Sequence, residues 1–205
     1  MTHVKICGVT SVQDAALCVE AGADAIGLNF APGSPRCLDL TTAAMIRRVI
    51  PAQVKAVGVF VDADRETLIR YRDSLGLDCL QLHGDESPEL LASFLPHAYK
   101  ALRVRGPGVK QEAARYPGAF LLLDAYVPGM HGGSGARFDW SLALELAQER
   151  KLTLAGGLTP HNVAEAIVAV KPFCVDVASG VESAPGRKDE ALVRAFISNA
   201  RAAAA

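Results

Sequence analysis

Val4-Lys5-Ile6-Cys7-Gly8, almost at the N-terminus, reads as one short strand and its stop. Val4 and Ile6 supply apolar, β-forming character, and Gly8 and Thr10 end the run. Cys7 is thereby left at the strand's C-terminal end, facing whatever lies above the sheet. A helical pattern follows at once. Ser11 reads as its N-cap, Val12, Ala15, Ala16 and Val19 as one apolar face, and Gly22 as its stop. This alternation of short apolar run and helical-period segment repeats down the chain, which predicts a mainly parallel sheet.

Working outward, further strands are expected at 25–30, 55–61, 79–83, 99–104, 119–124, 152–155 and 174–178. Thr41 or Thr42 is expected to open the second helix, with Met45, Ile46 and Val49 on one face. Leu68, Ile69 and Tyr71 mark the third helix, and Ser87-Pro88 the start of the fourth, where a first-turn proline is tolerated. A weaker helix follows near 109–115, another covers 140–148, one runs through Val170, and the last covers 190–204. The leucine triplet Leu121-Leu122-Leu123 fits a strand buried on both faces. The longest loop, 125–138, is rich in glycine. Eight strand–helix units with no segment left over predict an α/β chain folded as one closed (β/α)8 TIM barrel, a single domain over residues 1–205. An open doubly wound sheet would need fewer strands.

The totals agree with one globular unit: 205 residues, 50% hydrophobic, formal charge −1. That near-neutral balance gives no electrostatic footprint for nucleic acid or for an anionic membrane surface. No uncharged apolar run approaches the roughly 20 residues of a membrane span. The chain opens into a strand without a secretory pattern, so a cytoplasmic location is expected. Five scattered cysteines, an odd number without Cys-x-x-Cys pairing, argue against a disulfide framework or a zinc site. No histidine or carboxylate recurs at metal-ligand spacing, so no metal is expected.

In such a barrel, chemistry sits at the C-terminal ends of the strands. A strand cysteine is most often inert packing, but Cys7 stands where a thiol with positive charge nearby could be partly deprotonated and act as base or nucleophile. Asp124 ends a deeply buried run, where an ionised carboxyl is costly without a partner, and a carboxylic acid held there suits a general acid. Gly156-Gly157 and Ser179-Gly180 follow the seventh and eighth strands, a common place for a phosphate held by backbone N–H groups. Arg36, bracketed by Pro32 and Pro35, is suited to gripping a carboxylate. His83 could face a ligand as a donor, and Asp176 could bond another barrel group, with Lys5 as a candidate partner. His3, His97, His131 and His161 carry no supporting pattern.

Assembled in order, the segments Lys5-Ile6-Cys7-Gly8, Gly27 through Ser34-Pro35-Arg36, Gln81 through Glu86, Leu123-Asp124 with Gly132-Gly133-Ser134-Gly135 and Phe138-Asp139-Trp140, Ala155 through Leu158, and Asp176 through Glu182 with Pro185-Gly186 and Lys188-Asp189 resemble the phosphoribosylanthranilate isomerase family of tryptophan biosynthesis. Together they span nearly the whole chain. The resemblance implies an Amadori rearrangement without a cofactor, with Cys7 as general base and Asp124 as general acid. It also implies Arg36 on the anthranilate carboxylate and the two glycine turns on the substrate phosphate. His83 and Asp176 complete the expected binding set. The partner implied is a small phosphorylated substrate, for a monomer or homodimer. Three positions depart from the family pattern: Ser134 where threonine is frequent, Ala178 where serine is, and Asn29 where an aromatic or apolar residue is. Other phosphosugar barrels, such as a Schiff-base aldolase working through Lys5 or Lys100, and a catalytically silent ligand-binding barrel are the rival readings.

Overall fold

Strand period places the chemistry of this chain. In the computed structural model, which describes residues 1–125 and 139–204, β1 (His3–Cys7), β2 (Ala25–Asn29), β3 (Lys55–Phe60), β4 (Cys79–Leu82), β5 (Ala98–Val104), β6 (Phe120–Ala125), β7 (Lys151–Leu154) and β8 (Cys174–Val177) close into one parallel barrel. Helices alternate with them: α1 (Val12–Glu20), α2 (Leu40–Val49), α3 (Arg65–Leu75), α4 (Pro88–Ala92), α5 (Val109–Ala114), α6 (Leu144–Glu149), α7 (Val163–Val170) and α8 (Glu190–Ala203). The α/β barrel read from the sequence is thus the observed fold. The glycine-rich loop, with Gly132 to Gly135, His131 and Phe138, lies outside the described residues.

Successive strand side chains point to opposite faces. Ile6, Ile26, Leu28, Ala56, Leu80, Leu82, Leu121, Leu123, Leu154 and Val175 point outward and pack under the helices in one cluster. Fully burying one such side chain is worth about 1.5–3 kcal/mol. The intervening positions point inward, where Val57, Tyr99, Ala101, Leu122 and Ala155 form a smaller cluster in the barrel's lumen. Lys5, Gln81 and Asp176 share that inward set, all buried. Cys7, His83, Asp124 and Ala155 continue it at the C-terminal rim by the same two-residue period. The leucine triplet shows both outcomes: Leu122 belongs to the lumen, Leu121 and Leu123 to the helix layer.

Local chemistry explains the element boundaries. Ser11 caps α1 by accepting from the Asp14 amide, as expected. Helix α2 starts earlier than Thr41 or Thr42: Asp39 is its N-cap, accepting from the Thr42 amide at 2.7 Å. A carboxylate three residues upstream reaches that orphan N–H, and Thr42 then sits inside the first turn. One feature the sequence reading passed over is a short hairpin after β8, Glu182–Ala184 paired with Arg187–Lys188.

Lys100 faces outward from β5 and is sealed under the loop after β4. Its Nζ donates to the Leu82 carbonyl at 3.1 Å and to Glu86 Oε2 at 2.9 Å. Glu86 in turn accepts from the amides of Asp62 and Gly84. Both side chains are almost completely buried. Lys100→Met should therefore lower unfolding free energy by about 3–5 kcal/mol, because it leaves a buried carboxylate without its cation. Urea denaturation checks this; a midpoint shift too small to amount to 1 kcal/mol would show that water reaches Glu86.

Candidate active site

The rim residues converge on one cavity at the C-terminal ends of the strands. Cys7, Arg36, His83, Asp124, Gly156, Gly157, Asp176, Ser179 and Gly180 all line it, together with Asn29, Ser34 and Gln81. Each residue expected to act as catalyst or substrate contact is in this set, whereas Lys5 and Lys100 are not. Among the described residues, no group of three or more His, Cys, Asp or Glu side chains is arranged to hold a metal ion, and no helix is long and apolar enough to cross a membrane.

Cys7 comes from β1 with its neighbour in register, Gly27 of β2. A Cβ on Gly27 would fall 2.7 Å from the Cys7 sulfur, so the absence of a side chain there makes the space the thiol occupies. Positive charge does stand near, in Lys5 and Lys188. Burial is the larger effect, however, and it pushes the thiol above its ordinary range; the two lysines pull it only part of the way back. Burial thus favours the thiol form of Cys7 over the thiolate.

Beneath it lies a polar floor. Lys5 Nζ donates to Asp176 Oδ2 at 2.9 Å and to Gln81 Oε1 at 3.0 Å. Burial alone would lower the Lys5 pKa, but the facing Asp176 carboxylate holds it well above the ordinary value. The pairing read as a possibility from Lys5 and Asp176 is present, fixed by their register across β1 and β8. Tyr99 adds a second donor to Gln81 Oε1 at 2.9 Å.

Asp124, ending β6 across the barrel, keeps Oδ1 on its neighbour's amide, with Ala125 N–H donating at 2.9 Å. Its Oδ2 lies 3.4 Å from His83 Nε2. That spacing would serve an ion pair, but the alignment falls short of a hydrogen bond, and Nε2 is buried without a hydrogen-bond partner among the described residues. Gly156, at φ +84°, fits closely beside this carboxylate: a Cβ there would lie 2.3 Å from the Ala125 nitrogen and 2.9 Å from Asp124 Oδ1. The positive φ and the close approach both require glycine. Asn162 holds the same turn, accepting from Thr159 N–H and donating to the Gly157 carbonyl.

Arg36 is buried and carries a bidentate contact, Nε to Glu182 Oε1 at 2.8 Å and Nη2 to Oε2 at 2.6 Å. The Glu182 bond raises the arginine's pKa further. Glu182 would be raised by its own burial, yet Arg36 and Lys188 together hold it below its ordinary range. Lys188 Nζ also donates to the carbonyls of Cys7 and Ala178. The hairpin thus ties the ends of β1 and β8 to the arginine. Glu182 and Lys188 were quoted for family likeness but given no role in the sequence reading; their placement on a two-strand hairpin folding back to the rim has no periodic signal. Gln81, Asn29 and Asn162 were missed for a related reason, since each works through a partner distant in sequence or a backbone atom. The rival lysine nucleophiles are both engaged, Lys5 with Asp176 and Lys100 with Glu86 outside the lumen.

The family described as N-(5'phosphoribosyl)anthranilate (PRA) isomerase matches residues 4–199. N-(5'-phosphoribosyl)anthranilate isomerase of Geobacter sp. (strain M21) is 49% identical over 201 residues, covering 98% of each chain. The crystal structure of phosphoribosyl anthranilate isomerase from Thermotoga maritima superposes with a TM-score of 0.90 at 40% identity, over 98% of this chain and 100% of that one. A structure of the isomerase in complex with reduced 1-(o-carboxyphenylamino)-1-deoxyribulose 5-phosphate has a TM-score of 0.88 at 38% identity, over 98% and 100% of the two chains.

The raised Cys7 pKa has a direct readout. Alkylation by iodoacetamide, followed peptide by peptide, should show the Cys7 rate still climbing at pH values above the roughly 8.5 of a free thiol. Only the thiolate reacts, and burial delays its formation. A Cys7 rate already on its plateau at neutral pH would mean that Lys5 and Lys188 outweigh burial.

Proposed function

Because the chain belongs to the N-(5'-phosphoribosyl)anthranilate isomerase family, we propose that its Amadori rearrangement of phosphoribosylanthranilate, a step of tryptophan biosynthesis, runs through Cys7 as general base and Asp124 as general acid. The observation that carries this reading is the convergence of a thiol from β1 and a carboxyl from β6 on one cavity. The same cavity holds an arginine and two glycine-bearing turns, the groups that a carboxylate at one end of a substrate and a phosphate at the other call for.

Asp124 donates its proton to the ribose ring oxygen as the C1′–O bond breaks, and the ring opens to an iminium on the anthranilate nitrogen. That cation acidifies C2′–H, and Cys7, as thiolate, removes the proton. The electron pair moves into a C1′–C2′ enolamine, which returns to the keto form with a proton gained at C1′ and one lost from the 2′ hydroxyl. The substrate's own nitrogen is the electron sink throughout. Burial makes the thiolate rare, and charged Lys5 beside it, joined by the iminium, lowers the cost of forming it.

Arg36 serves the anthranilate carboxylate. Its described hydrogen bonds use Nε and Nη2 on Glu182, so Nη1 is the amino group left to turn toward the cavity. The Gly156-Gly157 turn, with φ of +84° and +64°, and the Ser179-Gly180 turn offer backbone N–H groups for the phosphate.

Cys7→Ala and Asp124→Asn should each lower kcat by roughly 10²–10⁴-fold while changing KM little, since each removes a proton carrier used in the transition state. The assay is consumption of ribosylated anthranilate followed by fluorescence; near wild-type kcat in either variant would remove that residue from the chemistry. Arg36→Ala should raise KM by about tenfold to a hundredfold with kcat nearly unchanged, the worth of a hydrogen bond between charged groups. An unaltered KM would break the carboxylate assignment.

A further inference from the structure

The imidazole of His83 sits between two neighbours of opposite demand, Gln81 below and Asp124 beside it. Gln81 Nε2 lies 3.2 Å from His83 Nδ1. Asp124 Oδ2 lies 3.4 Å from Nε2, a close approach outside hydrogen-bond alignment. A neutral imidazole carries one N–H and one lone pair, and its neighbours determine which nitrogen holds the proton.

The Gln81 amide has no freedom to flip. Its other end faces Lys5 Nζ at 3.0 Å, and an ammonium can only donate. The atom facing Lys5 must therefore be the amide oxygen, and Tyr99 O–H donates to the same oxygen. Lys5 stays an ammonium because Asp176 faces it, and burial holds the Tyr99 phenol in its neutral, donating form. With the oxygen committed, the NH₂ group of Gln81 points at His83 Nδ1, which must accept. The single ring proton then belongs on Nε2.

We propose that Gln81, oriented by Lys5 and Tyr99, is a positioning residue that fixes His83 as its Nε2–H tautomer, so that a proton and not a lone pair faces Asp124. The consequence concerns where the acid sends its proton. Ala125 N–H occupies Asp124 Oδ1, so a protonated Asp124 carries its hydrogen on Oδ2. Were Nε2 a lone pair, that hydrogen would be drawn into the imidazole, leaving an imidazolium–carboxylate pair with nothing to give a substrate. An N–H at the same place repels it into the cavity, and after transfer the same N–H faces the new carboxylate. The tautomer stands on the hydrogen-bond geometry alone; its use in catalysis rests on Asp124 being the general acid.

The test separates the two. Protein labelled with ¹⁵N-histidine, with the His83 signals assigned by their loss in His83→Asn, should show at about pH 8 a protonated Nε2 and an unprotonated Nδ1. A protonated Nδ1 in the wild type overturns the proposal. Gln81→Glu replaces the donor by an acceptor and should put a proton on Nδ1, and Gln81→Met removes the donor and should leave a mixture of tautomers. In both variants kcat should fall about tenfold or more, a share of the roughly 10²–10⁴-fold general acid effect, with KM within about threefold. A purely structural role for Gln81 would instead lower stability or raise KM and leave the tautomer untouched, which overturns the proposal. A changed tautomer with unchanged kcat would overturn its catalytic half and, with an unimpaired Asp124→Asn, the acid role as well. If Gln81→Glu fails to fold, the wild-type spectrum and Gln81→Met still decide.

Discussion

An ammonium and a carboxylate enclosed in the barrel's lumen, Lys5 against Asp176, set the terms for everything above them. Both side chains are buried, so each needs the other, and breaking such a pair by removing one member is severe. Their register across β1 and β8 sits next to the closure of the barrel, where the first strand meets the last. The same lysine orients Gln81 and opposes the rise in the Cys7 pKa. One buried charge pair thus joins the strand closure to the thiol and the amide above it.

At the rim itself, charge is arranged in a second layer. Glu182 collects Arg36 and Lys188, and Lys188 spans the carbonyls of Cys7 and Ala178. These contacts hold an arginine that would otherwise be free to sample solvent, and they do so from a hairpin of only a few residues. The cavity is consequently polar on the side of β1 and β8, where Arg36 stands. The lumen layer beneath it also holds apolar Val57, Ala101 and Leu122. Glycine at positions 27 and 156 shapes the surroundings of Cys7 and Asp124, one by leaving room for the sulfur and the other by letting backbone pass close to the carboxyl.

Much of this was legible in the chain's letters. The eight apolar runs, the capping Ser11, the stop at Gly22 and the triplet Leu121-Leu122-Leu123 each rest on a local rule, and each reappears in the fold within a residue or so. Asp39 was overlooked as a cap because Thr41 and Thr42 stood closer to the apolar face. Cys7, Asp124, Arg36 and the glycine turns were readable because each stands at the C-terminal end of a strand or in the loop after it, and the fold brings strand ends together by construction. Family likeness then supplied the roles that position alone could not.

What the sequence determined by itself is therefore the alternation of elements, the closed barrel, and which residues reach its C-terminal rim, since all three follow from period and from the count of strands. The tertiary structure decided the rest: that Arg36 is held by Glu182, that Lys188 knots β1 to β8, that Gln81 is oriented by Lys5, and that burial favours the thiol form of Cys7. Those outcomes depend on atoms that meet across 76, 146 or 181 positions of chain. No local pattern encodes such meetings, because hydrogen-bond partners and desolvation are properties of neighbours in space.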